Sequence, residues 1–368
     1  MGRPTGCSKP SIMAEKLVEV LGPCGLQGEF YQYCRPSPDL GCSRHLTTPK
    51  RGVIPSGPNM KGRIAIVGAN GFVGRHLMEL LALQGRPILG VIRSDEGARV
   101  VRKLGGLPHQ VRDLEKASTA GLVPALSGCA GLVYTASVSA GPLAKDRTDP
   151  SGLLNVIEAC REAEVPRIAF LSGLGIAHYG MNVHCTNAYF LAKMVGEVAL
   201  FRSDRAVTIL RPSYIFGAGD EFLSPLIRRM RGASFIEIPG DGAYRLQPIS
   251  VQDAARALIA SIDHDAGEAP RVVDLVGPEI LSYRAFIAVV ASLMGRSVDI
   301  RERAMDEALA QARQSGYFGL KAHDLACLLC DEVSDPRPVE ALIGGPLATI
   351  DEMVGRTITA LASVEAAG

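Results

Sequence analysis

Tyr189 and Lys193 stand four residues apart in "TNAYFLAKMVGEVAL". On a helix that spacing puts both side chains on one face. A tyrosine hydroxyl, with a pKa of about 10, is a poor acid–base at neutral pH. An ammonium about 4 Å away, at an effective dielectric of about 20, favours the phenolate by roughly 4 kcal/mol. That pairing makes Tyr189 a candidate proton donor and acceptor, tuned by Lys193. The same spacing recurs in "YFGLK", with Tyr317 and Lys321, so spacing alone decides nothing. Context separates the two. The first pair follows the strand-like run "RIAFLSG", whereas the second lies beside Gly316, encloses Gly319 and has no sheet strand ahead of it.

A second chemical feature lies far upstream. Gly68, Gly71 and Gly74 form G-x-x-G-x-x-G in "GANGFVG", between the run "RIAIV" and the helical pattern "RHLMELLALQG". A dinucleotide pyrophosphate needs unpaired backbone N–H groups and the positive end of a helix dipole. Glycine lets the backbone come close enough to supply both. Asn70, Phe72 and Val73 belong to the same loop. Nicotinamide cofactors are distinguished at the end of the second strand, where an acid suits the ribose 2′-OH and a guanidinium suits a 2′-phosphate. Here "VIRSDE" places Arg93 at that point, which favours NADP(H) over NAD(H), while Asp95 and Glu96 beside it argue the other way. Asp113 and Leu114, after the third strand, are expected near the adenine.

These residues need a scaffold, and the pattern supplies one. From Lys61, short apolar runs alternate with helical segments: "RIAIV", "PILGVI", "GLPHQ", "AGLVYTAS", "RIAFLSG" and "AVTILRP" read as six strands. Such alternation means βαβ units and a parallel sheet covered on both faces. The fold class is therefore α/β: a doubly wound, parallel-sheet Rossmann fold over residues 60–215. Residues 216–368 are expected to form a smaller, mixed, mostly helical substrate or partner region, with "RVVDLVG" able to return as a late strand. Residues 1–59 are rich in Pro, Gly and Ser and lack periodicity. We expect them to be disordered, or an extension ahead of a working start at Met60.

Composition excludes several classes. The chain has 368 residues, 47% hydrophobic and 21% charged, with a formal net charge of +1. That balance is globular, without a nucleic-acid footprint, and no apolar run is long enough to cross a membrane. Of nine cysteines, four (Cys7, Cys24, Cys34, Cys42) fall before residue 60. The rest read as small buried thiols of a cytoplasmic protein. Cys327 and Cys330 form C-x-x-C, but its two intervening Leu and the lack of a second Cys/His pair argue against both zinc and redox chemistry. His178, His184 and Cys185 likewise lack regular ligand spacing, so no metal is expected.

The motifs "GANGFVG", "RDL", "YTAS", "FLSGLG", "YFLAK", "LRPSYIFGAGD" and "QPISVQDAA" together resemble the extended or atypical short-chain dehydrogenase/reductases, an NAD-dependent epimerase/dehydratase-like family. The resemblance covers about residues 61–290. It implies Tyr189 as acid–base, Lys193 as its electrostatic partner and a holder of the nicotinamide ribose, and Ser172 as the donor that polarises a substrate carbonyl. It also implies Thr135, Ala136 and Ser137 along the cofactor, with Pro212 lining the nicotinamide site. Sugar-nucleotide epimerases usually carry consecutive hydroxyl residues where this chain has "LSGLG". The "SxLG" form is closer to the branch containing the Rossmann-fold accessory subunit of respiratory complex I.

Three functions follow as expectations. The first is an NAD(P)-dependent oxidoreductase acting on a small carbonyl or alcohol substrate. The others are a nucleotide-holding accessory subunit without turnover and a sugar-nucleotide epimerase or dehydratase. Arg228, Arg229 and Arg231 give the C-terminal region a basic group. It reads as a solvated helix face, a substrate contact, or a docking surface for a protein or a membrane. Arg211 is expected to be structural, and Asp253 a helix-start or interdomain anchor.

Overall fold

The computed structural model describes residues 62–114, 116–136, 151–183, 185–263, 271–315, 317 and 322–366. Residues 1–61, Ser137, His184 and Lys321 thus lie outside the described residues. So does any test of the expectations placed on them.

Seven strands form one parallel sheet: β1 (Arg63–Val67), β2 (Ile88–Ile92), β3 (Leu107–Gln110), β4 (Cys129–Tyr134), β5 (Arg167–Leu171), β6 (Ala206–Pro212) and β7 (Arg271–Leu275). Their order is β7-β6-β5-β4-β1-β2-β3. The chain winds outward from β1 in one direction, then returns and winds outward in the other. The reversal lies between β1 and β4, and such a switch point opens a crevice at the carboxyl ends of the strands. Register keeps those ends level: Val67 pairs with Tyr134, Tyr134 with Phe170, and Leu171 with Leu210.

Five strands (β1, β2, β4, β5, β6) are buried over most or all of their length, as a sheet with helices on both faces requires. One face is covered by α1 (Phe72–Leu83), α2 (Asp95–Lys103) and, from far downstream, α7 (Val251–Asp263). The other carries α3 (Thr119–Leu126), α4 (Ser151–Glu162) and α5 (Ala188–Phe201). The sheet therefore draws on chain well past residue 215. Strand β7 and helix α7 belong to its core because their apolar faces, Leu258, Ile262 and Leu275 among them, have no other layer to bury against.

A second core holds the C-terminal region together. It takes α6 (Leu223–Gly232), α8 (Tyr283–Leu293), α9 (Met305–Gln314), α10 (Ala322–Leu328) and α12 (Ile350–Ala366), and short paired strands at Phe235–Pro239 and Asp299–Arg303. Helix α11 (Arg337–Ile343) returns to the first core through Val339 and Leu342. Rings from Phe216, Phe222, Tyr283 and Phe286 pack at centroid distances of 5.2–6.0 Å within this second core, whose other side chains are mostly aliphatic.

Candidate active site

The glycine loop joins β1 to α1 at the switch point. Gly68 has φ of +88°, and a Cβ there would meet the Ala136 backbone nitrogen at 2.7 Å. A Cβ on Gly74 would stand 2.2 Å from the Gly68 carbonyl oxygen. Only glycine allows the turn at Gly68 and lets α1 come this close to the loop. Helix α1 starts from Gly71 with no side-chain cap and no acid in its first turn. By contrast α2 starts from Ser94, whose hydroxyl accepts the Gly97 N–H, and carries Asp95 and Glu96 in its first turn. The α1 terminus, with Phe72, Val73 and Gly74 leading it, is left open to an anion.

The other expected contacts line the same edge. Thr135 donates its hydroxyl to the Val67 carbonyl at 3.0 Å, sealing the ends of β1 and β4, with Ala136 next to it. Arg93 follows β2 directly and is exposed. Asp113 pairs with Lys116 at 3.3 Å, and the Leu114 carbonyl accepts the Asn155 side-chain amide at 2.8 Å. Asn155, from α4, thus ties down the loop after β3 that the sequence places by the adenine. Pro212 ends β6, buried, one strand over from Ser172.

Helix α5 starts from Asn187, whose side chain accepts the Phe190 N–H, and this start aims Tyr189 and Lys193 at the end of β5. Lys193 is buried. Its ammonium donates to the Leu171 carbonyl at 2.7 Å and lies 5.0 Å from the Phe170 ring centroid and 5.7 Å from that of Tyr189. Burial pulls its pKa down to about 8, against the opposing attraction of Glu197. Lys193 therefore stays mostly charged at neutral pH, with a pKa close enough that small changes in its surroundings alter that charge.

Ser172 is placed differently. Its hydroxyl is buried and donates to Glu197 Oε1 at 2.6 Å. Glu197 also takes a two-point ion pair from Arg211, Nε at 3.0 Å and Nη2 at 2.6 Å. The one proton of Ser172 is thus committed to a buried carboxylate, and Arg211 serves as that carboxylate's counter-charge. Glu197 is a site residue that reading by motif passed over. Its signal was present: Tyr189, Lys193 and Glu197 recur every four residues on one helical stripe.

The second tyrosine pair is elsewhere. Tyr317 is buried in the C-terminal core, and its hydroxyl reaches Glu237 at 3.4 Å. It helps line a small cleft with Phe222, Leu226, Arg229 and Tyr283. Tyr214, two residues past Pro212, packs its ring 5.8 Å from Phe222, so an aromatic wall leads from the end of β6 to that cleft. Asp220 shapes the turn between them by accepting backbone N–H groups from Gly217 and Phe222. Asp253 accepts from Ser250 and the Ala348 N–H, joining the start of α7 to the C-terminal chain.

A match to the NAD dependent epimerase/dehydratase family runs over residues 64–275, more than half of the chain. The chain belongs to that family. It is 23% identical over 226 residues to the mitochondrial NADH dehydrogenase (ubiquinone) 1 alpha subcomplex subunit 9 of Arabidopsis thaliana, covering 61% of this chain but only 56% of that relative. It is 26% identical over 268 residues to a ceramide reductase of Caulobacter vibrioides, covering 63% of this chain and 80% of that one. The NADPH-dependent quinone oxidoreductase QOR2 of Escherichia coli, solved with NADPH, shares the fold at a TM-score of 0.63 and 22% identity, over 81% of this chain and 99% of that one.

Two features of this family member were not legible in its sequence. Cys185 and Cys330 are bonded sulfur to sulfur across 145 residues. This corrects the reading of Cys185 and Cys330 as small buried thiols: they form a disulfide between chain segments far apart in sequence. Glu332 is the other. It is buried, accepts the Gly175 N–H at 3.1 Å just beyond Ser172, and burial raises its pKa to about 8. Among the described residues no group of His, Cys, Asp and Glu is arranged to hold a metal, and no helix is long and apolar enough to cross a membrane.

Proposed function

We propose that the protein is a cytoplasmic NADP(H)-preferring oxidoreductase that interconverts a carbonyl and a carbinol, with Tyr189 as its acid–base. The observation that carries this reading is the convergence of two structures on one sheet edge: the uncapped start of α1 behind Gly68, Gly71 and Gly74, and the Tyr189–Lys193 stripe of α5. The loop residues fit a dinucleotide: the missing Cβ at Gly68 and Gly74, which would clash with the Ala136 nitrogen and the Gly68 carbonyl, lets α1 begin tightly behind β1 with its uncapped start at the sheet edge. When bound, the nicotinamide supplies or accepts the hydride. Tyr189 gives its phenolic proton to the carbonyl oxygen, or takes it back in the reverse direction. Lys193 holds positive charge beside the phenol as that proton leaves.

Arg93 supports the preference for a 2′-phosphate. Asp95 and Glu96, which argued the other way in sequence, occupy the first turn of α2 and offset that helix's own dipole. The substrate enters from the cleft side, where Phe222 and Tyr283 offer an apolar wall flanked by Arg229 and Glu237. Calorimetric titration with NADPH, NADP+, NADH and NAD+ tests the reading. Reversible binding with an NADP(H) preference sustains it, and absence of binding by all four ends it.

A second reading rests on one specific observation. With the Ser172 proton committed to Glu197, the site lacks the hydroxyl donor that the resemblance assigned to the substrate carbonyl. A nucleotide-holding accessory subunit would tolerate that loss. Nucleotide that stays bound through purification and is oxidised by no carbonyl compound would favour it.

A further inference from the structure

The fold joins two sequence features that the proposed reaction leaves unused: Cys185, in the segment leading to α5, and the pair Cys327 and Cys330. The Cys185–Cys330 bond spans Cα atoms 6.4 Å apart, within the range of about 4.4–6.8 Å that a disulfide bridges without backbone movement. Both sulfurs belong to residues that are almost wholly buried, at 0% and 3% exposure. An external thiol must reach a disulfide sulfur in order to attack it, so burial shuts off the direct route. Cys327 offers another. It is a half-buried thiol outside the disulfide, one turn before Cys330, whose N–H donates to the Cys327 carbonyl at 3.0 Å. Cys327 also packs against the cluster formed by Cys185, Cys330, Phe190 and Ile176, which Tyr189 borders.

We propose that these three cysteines form a thiol–disulfide exchange site, with Cys327 as its entry thiol and a soluble dithiol as its reactant. In the first step the Cys327 thiolate attacks Cys330 Sγ. The Cys327–Cys330 bond forms, the Cys330–Cys185 bond breaks, and the electron pair leaves on Cys185, which takes a proton. This step is an exchange without net oxidation. In the second, the dithiol reduces the new bond: its two thiols become one disulfide, and Cys327 and Cys330 return as thiols. The two electrons and two protons come from the dithiol.

The consequence reaches the sheet edge. Cys185 lies four residues before Tyr189, and Glu332, two residues after Cys330, holds the Gly175 N–H. With the Glu332 contact, the bond therefore straps the C-terminal chain onto two points of the stretch between Ser172 and Tyr189. Opening it releases the 179–187 segment. The exchange site stands or falls independently of turnover at Tyr189.

The test uses the full chain purified without reductant. Free thiols are blocked with N-ethylmaleimide in denaturant, and linked peptides are mapped by mass. A Cys185–Cys330 peptide is expected at the start, with a transient Cys327–Cys330 peptide under limiting dithiothreitol. Cys327→Ser is expected to slow release of Cys185 by about tenfold or more, whereas Cys129→Ser leaves the rate unchanged. Circular dichroism confirms that both variants are folded. Reduction is also expected to increase proteolytic cleavage within residues 179–187. The proposal is overturned if Cys185 and Cys330 are alkylated as free thiols even after treatment with oxidised glutathione. Reduction of Cys327→Ser at the wild-type rate, or stoichiometric zinc in the untreated protein, would overturn it as well.

Discussion

At the scale of single residues, the site is a division of labour between Tyr189 and the groups that set its surroundings. Replacing Tyr189 by Phe removes only a hydroxyl from a half-buried ring. We expect nucleotide affinity to be kept while kcat for carbonyl reduction falls by about 10²–10⁴-fold, the usual contribution of a positioned acid–base. Single-turnover measurements with bound NADPH check this, and an unchanged rate would remove Tyr189 from the mechanism. Arg93 makes a separate prediction. Charge-assisted hydrogen bonds to a phosphate contribute about 1.5–3 kcal/mol, so Arg93→Ala is expected to weaken NADPH by about ten- to a hundredfold and to leave NADH unchanged. Equal losses for both cofactors in calorimetry would show that Arg93 does not read the 2′ position.

At the scale of elements, α5 has two tasks on one stripe. Its first turn presents Tyr189, and its third buries Glu197 against Ser172 and Arg211. That buried network pins β5, β6 and α5 together next to the proposed Tyr189–Lys193 pair. Glu197→Gln keeps the shape but removes the counter-charge of Arg211, and breaking a buried pair in this way costs about 3–5 kcal/mol. Chemical denaturation should report a loss of that order. A change below about 1 kcal/mol would mean that Arg211 finds equal compensation elsewhere. The helix starts differ for the same kind of reason. Helices α2 and α5 are closed by Ser94 and Asn187, whereas α1 is left without a side-chain cap, and an exposed set of N–H groups at a sheet edge is what a phosphate needs.

At the scale of the whole molecule, the C-terminal chain returns to the sheet edge and sets Glu332 against Gly175, near the proposed catalytic pair. Its folded pKa, about 8, lies above the ordinary carboxylate range. Between these values the folded protein holds a proton that the unfolded chain has released. Its contribution to stability is therefore fully present below about pH 4.5 and is lost as pH rises through about 8. Melting temperatures of the wild type should fall relative to Glu332→Gln between pH 5 and pH 8, by an amount corresponding to a few kcal/mol. Parallel curves for the two proteins would show that Glu332 keeps an ordinary pKa.

Sequence by itself determined the parts of this protein governed by local pattern. The alternation of buried runs with amphipathic helices dictated a parallel, doubly wound sheet. Three glycines between a strand and a helix marked the candidate dinucleotide loop, and the i, i+4 spacing after the fifth strand marked the candidate pair Tyr189 and Lys193. Each signal lies within a few residues because backbone geometry sets it. What only the tertiary structure decided depends on which distant segments share a buried space. The return of β7 and α7 to the first core, the turning of Ser172 toward Glu197, and the meetings of Cys185 with Cys330 and of Gly175 with Glu332 are all of that kind. Burial fixes these contacts, through the cost of leaving an apolar face, a charge or a hydrogen-bonding group without a partner, and no local spacing encodes which partner the fold will supply.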